Sequence, residues 1–227
     1  MKPLSENDPF INIHTHKDNC GLNELSLINI FAEEFESYAL KESCFYTVGL
    51  HPWNLEKTDT KEAIANVKKA ASYPMVKAIG ETGLDRAIET SWEVQTEVFI
   101  RHLEIAEDAR KPVMIHCVRA FSDIIAIKKK FKFTAPWIIH GYNSNLQTAG
   151  QLLKYGCYLS FGKFLFNSKS KVPDMFPEVP DESFFLECDD ADLTIEEIYN
   201  KASALKNLSR DALKRRMREN FLKLFSY

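Results

Sequence analysis

Histidines and acidic residues recur in this sequence at the ends of short apolar runs. FINIHTH carries His14 and His16, YTVGLH ends in His51, VMIH in His116 and WIIH in His140. Glu81 follows MVKAIG, and Asp189 follows SFFLEC. Imidazoles and carboxylates ligate metals and move protons near neutral pH, and they make poor occupants of a bare core. In an extended chain, residues i and i+2 face the same side, so His14 and His16 can reach one ion. Six candidate ligands, His14, His16, Glu81, His116, His140 and Asp189, exceed what one tetrahedral zinc needs. They suit two divalent ions, with Glu81, midway in the strand order, as the carboxylate between them. Such a pair polarises an ester or phosphoryl oxygen and activates a water. Asp189 can both ligate and accept the proton of that water.

Eight strands must position these residues. The apolar runs predict them at about 10–16, 25–31, 45–50, 75–81, 112–117, 136–140, 157–162 and 184–189. Most are continuous rather than alternating, the pattern of strands covered on both faces. Helices are expected at 33–42, 61–72, 91–110, 120–131, 145–154, 194–205 and 209–225. In the third of these, Val94, Val98, Ile105 and Ala109, and also Phe99, Leu103 and Ala106, recur at helical spacing. Thr194 with Glu197 forms a capping-box pattern, and Ser209 is a candidate N-cap. Strands alternating with helices argue for a parallel α/β fold, and eight of them for a closed barrel whose chemistry sits at one mouth. Residues 17–24 are too few for a crossover helix. The expected fold is therefore a TIM-like (β/α)8 barrel that lacks its first crossover helix, with residues 1–227 as a single domain. Residues 163–183 form the longest loop-like stretch, carrying three Lys and three Pro.

The chain has 227 residues, 45% hydrophobic, with a net charge of −3. That is ample for one core and unlike a basic nucleic-acid coat. No run approaches the roughly 20 apolar residues of a membrane span, and MKPLSENDPF has no apolar signal region. The five cysteines are scattered without a CxxC pair. They are read as reduced thiols, and the protein as cytoplasmic, without membrane contact or an obligate protein partner.

The motifs resemble the TatD family of metal-dependent hydrolases, TIM barrels of the amidohydrolase-like superfamily. The resemblance runs nearly end to end. It includes the HxH of His14 and His16, Val48-Gly49-Leu50-His51-Pro52, and Ala78-Ile79-Gly80-Glu81-Thr82-Gly83-Leu84-Asp85. It continues through Gln95, Phe99, Leu103 and Ala106, then Pro112-Val113 with Ile115-His116-Cys117. His140-Gly141, Leu186-Glu187-Cys188-Asp189 and Glu219-Asn220-Phe221 complete it.

The resemblance implies that His14, His16, Glu81 and Asp189 hold one metal and Glu81, His116 and His140 a second, the ions being Zn, Mn or Mg. It implies phosphodiester hydrolysis, chiefly of DNA in the manner of a 3'-5' exonuclease, with Asp189 and Glu81 as the catalytic carboxylates. His51 would contact a substrate phosphate beside the metals, and Asp85 would orient a ligand or loop. Arg119 and Lys163 are further candidate substrate contacts, with Lys169 and Lys171 beside the latter. The sequence departs from the family pattern at Asn12, in place of Asp before the HxH, and at Asp190-Ala191 after Asp189. It departs also at Arg119, one position late after His116, and at Gly141-Tyr142-Asn143-Ser144 after His140. All six ligands survive, and the altered positions would shape the substrate pocket. Ester or amide hydrolysis on the same metals, of aminoacyl-tRNA or a small-molecule ester, is the alternative. Among the remaining residues, His102 is expected at a surface or an interface, Cys188 packed in its strand, and Phe164, Phe166 and Phe176 either stacked on bases or closing the long loop.

Overall fold

The structure, a computed structural model, describes residues 9–18, 21 and 23–225. Eight parallel strands pair in chain order: β1 (Phe10–Thr15), β2 (Glu24–Phe31), β3 (Phe45–Gly49), β4 (Val76–Asp85), β5 (Val113–Val118), β6 (Trp137–Ile139), β7 (Cys157–Phe161) and β8 (Phe184–Leu186). The ring closes at the mouth. Thr15 and Asp189 form a parallel bridge, with the Asp189 N–H donating to the His14 carbonyl at 3.0 Å and the His16 N–H to the Asp189 carbonyl at 3.3 Å. The helices are α1 (Thr60–Ala70), α2 (Trp92–Ala109), α3 (Phe121–Phe131), α4 (Leu146–Lys154), α5 (Val172–Met175), α6 (Ile195–Lys206) and α7 (Arg210–Phe225). This is the expected TIM-like barrel. Among the described residues no helix is long and apolar enough to cross a membrane.

Among the described residues no helix lies between β1 and β2. The C-terminal helices stand in for it on the outside of β1. The Tyr199 hydroxyl of α6 accepts the Ile11 N–H and donates to the Ile11 carbonyl, both at 3.1 Å, and its ring meets Phe10 edge-on at 5.0 Å. Two backbone groups that β8 does not reach are thus paired, as buried peptide groups require.

The sequence-predicted helix at 33–42 is absent. Only Phe35–Ser37 makes a 3-10 turn, and the chain then extends. Phe35, Tyr38 and Leu40 all pack on one apolar cluster outside β2 and β3. Residues 38 and 40 would project to different sides of a helix, so an extended segment serves that contact better. The long stretch after β7 is built of three 3-10 turns and α5 rather than open loop. Phe176 within it is fully buried, with its ring 4.9 Å from those of Phe161 and Phe184, so it is core and not a stacking residue. The capping box of Thr194 and Glu197 forms as expected, and the Ser209 hydroxyl accepts the Ala212 N–H. One expectation about the cysteines fails. Cys117, Cys157 and Cys188 are free, but Cys44 is disulfide-bonded. Cys20 lies outside the described residues. Pairing depends on which Cα atoms approach in space, and sequence spacing does not encode that.

His102 is likewise not a surface residue. It is fully buried on α2, where Nε2 accepts the Leu50 N–H at 2.9 Å and Nδ1 donates to the Val98 carbonyl at 2.8 Å. Burial drives its pKa down to about 4, against the partial support of Val98. An exposed imidazole in the unfolded chain titrates near ~6.5. Between those values the unfolded chain takes up a proton that the folded chain refuses. Its contribution is therefore full above about pH 6.5 and is lost as pH falls toward 4, by about 3 kcal/mol in all. His102→Gln is expected to flatten this part of the stability profile, read as denaturation midpoints across the acid range. An unchanged slope would contradict the assignment.

Candidate metal centre

Glu81 sits where β4 is most constrained. Ile79 pairs with Val113 and Thr82 with Ile115, so β4 takes three steps where β5 takes two. The extra residue bulges the strand and re-aims a side chain inward. The flanking glycines allow it. A Cβ on Gly80 (φ 131°) would lie 2.3 Å from the Met114 carbonyl oxygen, and one on Gly83 (φ 152°) 2.0 Å from that of His116. The Glu81 N–H is held by Asn29 Oδ1 at 2.8 Å, and the same oxygen accepts the Thr47 hydroxyl at 2.9 Å. A second irregularity, between Asn12 and Thr15 of β1, turns His14 into the same mouth.

The two oxygens of Glu81 face two different groups. Oε2 lies 3.4 Å from His14 Nε2 and 3.5 Å from His16 Nε2, and those nitrogens lie 3.8 and 3.6 Å from Asp189 Oδ1. Oε1 lies 2.7 Å from His140 Nε2 and 3.0 Å from both His116 Nδ1 and His51 Nε2. The six residues singled out in the sequence therefore lie together around one carboxylate that is 3% exposed, and among the described residues three groups are close enough to hold an ion: His14, Glu81 and His140; His14, His16 and Asp189; and His51, Glu81 and His116.

The donor chemistry fits a cation. His14 is fully buried, yet neither of its ring nitrogens has a hydrogen-bond partner, and His140 Nδ1 has none either. Lone pairs of imidazole and carboxylate converge without enough protons to join them, which is the condition a metal ion relieves. The electrostatics agree. Burial opposes charge on Glu81, but the charge of His140 and the close approach of the His116, His14 and His140 rings hold it well below the usual carboxylate range. Asp189 is also lowered, burial being outweighed by His140, His14 and Lys163. Burial likewise opposes charge on His140, and the carboxylates of Glu81 and Glu187 raise it well above its ordinary value. Both partners shift toward a site that demands positive charge.

Further contacts fix these candidate ligands. The His116 ring nitrogen Nε2 lies 3.1 Å from Asp85 Oδ2, and a proton held on that side is what would free Nδ1, 3.0 Å from Glu81 Oε1, to ligate an ion. Asp85 also accepts the Trp53 indole N–H at 2.8 Å and the Ala87 N–H at 2.7 Å, and its pKa falls to about 2 because these bonds outweigh burial. Glu187, to which sequence reasoning assigned no role, is 1% exposed. It accepts the Gly141 N–H at 2.7 Å and has Oε1 3.6 Å from His140 Nδ1. Its only signal in sequence was an acid two residues before Asp189. His51 lies with Glu81 and His116 in one of these groups, but its bonding differs from theirs. Its Nδ1 accepts the Trp53 backbone N–H at 3.1 Å, and burial lowers its pKa, so the neutral ring carries its proton on Nε2, facing the centre as a donor.

Lys163 reaches in from the turn after β7. Its Nζ lies 3.1 Å from Asp189 Oδ2 and also contacts Asp190 Oδ1. Arg119 is exposed in a left-handed turn after β5 and lies outside the cavity wall, as do the exposed Lys169 and Lys171. The cavity above the cluster is about 350 Å³, and its wall includes Phe31, Trp53, Phe164, Lys163 and Asp190.

The sequence model of the family described as TatD related DNase matches residues 18–226. The chain belongs to this family. It is 28% identical over 201 residues to the uncharacterized metal-dependent hydrolase YcfH of Escherichia coli strain K12, covering 82% of this chain and 75% of that protein. It is 27% identical over 173 residues to the 3'-5' ssDNA/RNA exonuclease TatD of Edwardsiella piscicida, covering 74% and 66%. Among solved structures, YjjV, a TatD homolog from Escherichia coli K12, superposes with a TM-score of 0.85 at 22% identity, covering 96% of this chain and 98% of that one. This TatD-family barrel is a metal-dependent hydrolase whose His and Glu clusters can hold metal.

Because Asp85 fixes one face of His116, Asp85→Ala should weaken metal affinity by about 10- to 100-fold with the fold retained. Competition against a metallochromic chelator reads this directly. Wild-type affinity in the variant would remove Asp85 from the centre.

Proposed function

We propose that this chain is a two-metal phosphodiesterase that acts on single-stranded DNA, releasing nucleotides from a 3' end. The observation that carries the reading is the division of Glu81, with one oxygen toward His14 and His16 and the other toward His116 and His140. Asp189 would ligate with the first pair and His140 with His116. Four imidazoles and two carboxylates suit Zn or Mn by ligand softness better than Mg. The divalent ions would polarise the phosphoryl oxygen and activate water.

The remaining work falls to side chains. Asp189, steadied by Lys163 on Oδ2, accepts the proton of the attacking water. His51 offers its Nε2 proton to a phosphoryl oxygen. Lys163 supplies positive charge where the product phosphate leaves. The name of the Edwardsiella relative supports nucleic acid as the substrate class.

One observation keeps a second reading. Lys163 is the cation on the cavity wall, and it is shared between Asp189 and Asp190. A wall with so little free positive charge also suits an ester of lower charge, on aminoacyl-tRNA or a small molecule.

Metal-stripped protein resupplied separately with Mg, Mn or Zn should cleave end-labelled single-stranded DNA. Asp189→Asn should lose about 10²- to 10⁴-fold in turnover, and Glu81→Ala all of it, with thermal unfolding still cooperative. Cleavage unchanged in either variant would sink the assignment. Metal uptake without cleavage would remove the phosphodiester reading and leave the ester one.

A further inference from the structure

Trp53 is both exposed and fixed. It lies on the 3-10 turn Pro52–Asn54 after β3 and keeps 58% of its surface exposed. Its backbone N–H is bonded to His51 Nδ1 at 3.1 Å and its indole N–H to Asp85 Oδ2 at 2.8 Å. Its ring meets those of His51 and His116 edge-on at 4.9 and 5.7 Å. An exposed tryptophan of a soluble surface ordinarily gains nothing from such ordering. Here the ordered ring forms part of the wall of the cavity above Glu81, with Phe31 and Phe164 also on that wall. Phe31 in turn packs on His16 at 5.6 Å. The cavity thus has a polar floor and aromatic sides.

We propose that Trp53 is the stacking platform for the nucleobase next to the scissile phosphodiester, and hence a specificity-determining residue. The inference rests on the phosphodiesterase reading and extends it. Two consequences follow from the geometry. The indole N–H is already given to Asp85, so Trp53 has no donor left to read a base edge. Recognition by its π-face tolerates all four bases. The wall cation Lys163 is already paired with Asp189 and Asp190, so affinity draws more on stacking than on phosphate contacts and falls only weakly with salt. Asp85 Oδ2 also accepts from His116 Nε2, which ties the platform to the metal cluster through one oxygen.

The test compares a dinucleotide with its counterpart lacking the base on the proposed stacking side. The readout is the ratio of kcat/KM on the two substrates in wild type, Trp53→Phe and Trp53→Ala. A disturbed His116 lowers both substrates together and cancels in the ratio. Trp53→Ala should reduce the ratio by about 5- to 150-fold, and Trp53→Phe should keep most of it, because a ring remains. A ratio unchanged in Trp53→Ala overturns the proposal. A second readout needs no turnover. Binding of dAMP to metal-loaded protein should quench tryptophan fluorescence, deoxyribose 5-phosphate should not, and the quench should vanish in Trp53→Phe although Trp92 and Trp137 remain. Quenching by dAMP with no cleavage of any oligonucleotide would retain the platform and discard the phosphodiesterase reading. Cleavage with neither a quench nor a change in ratio would discard the platform and retain the enzyme.

Discussion

A carboxylate buried at the closed end of a barrel is costly unless its charge is answered. Glu81, 3% exposed, is answered by five imidazoles drawn from β1, the turn that follows it, and the ends of β3, β5 and β6. Much of the mouth is arranged to permit this contact. The bulge in β4, the left-handed Gly80 and Gly83 pressed on the β5 carbonyls, and Asn29 on the Glu81 N–H all fix where the carboxylate lies. Asp85, Gly141 with Glu187, and Leu50 with His102 then fix the elements that carry the imidazoles.

The same residues close the barrel. β8 ends at Leu186, short of β1, and the Thr15–Asp189 bridge spans the gap at the mouth. Lower down, Asn12 Oδ1 accepts the Cys188 N–H at 3.0 Å while its amide donates to Glu24 at 2.8 Å. Asn12, one of the departures from the family pattern, therefore works as a strand clamp on the far side of His14. On the outside, Tyr199 replaces what a first crossover helix would supply. Stability and site geometry are thus coupled at the β1–β8 seam.

Much of this was legible in the sequence because parallel strands buried on both faces read as plain apolar runs. Polar residues at their ends then stand out, and all six candidate ligands were visible that way. Features that depend on which face meets which were harder. His102 lies four residues beyond Val98 and three beyond Phe99, on the buried stripe of α2, and that spacing could have marked it as interior. Glu187, Asn29 and Trp53 act through partners distant in sequence, so no local pattern distinguishes them. The stretch around Tyr38 and Leu40 has helical composition, but its outward cluster needs both side chains on one side. The bonded state of Cys44 rests on spatial approach alone.

On the proposed reading, Glu81 joins two ion sites. Manganese titrated into metal-stripped protein, followed by calorimetry and by electron paramagnetic resonance, tests it most directly. Wild type should bind two ions per chain with the spectrum of a coupled pair, and Glu81→Gln should lose the coupling. A single ion in wild type, or two uncoupled ions indifferent to Glu81→Gln, would contradict it.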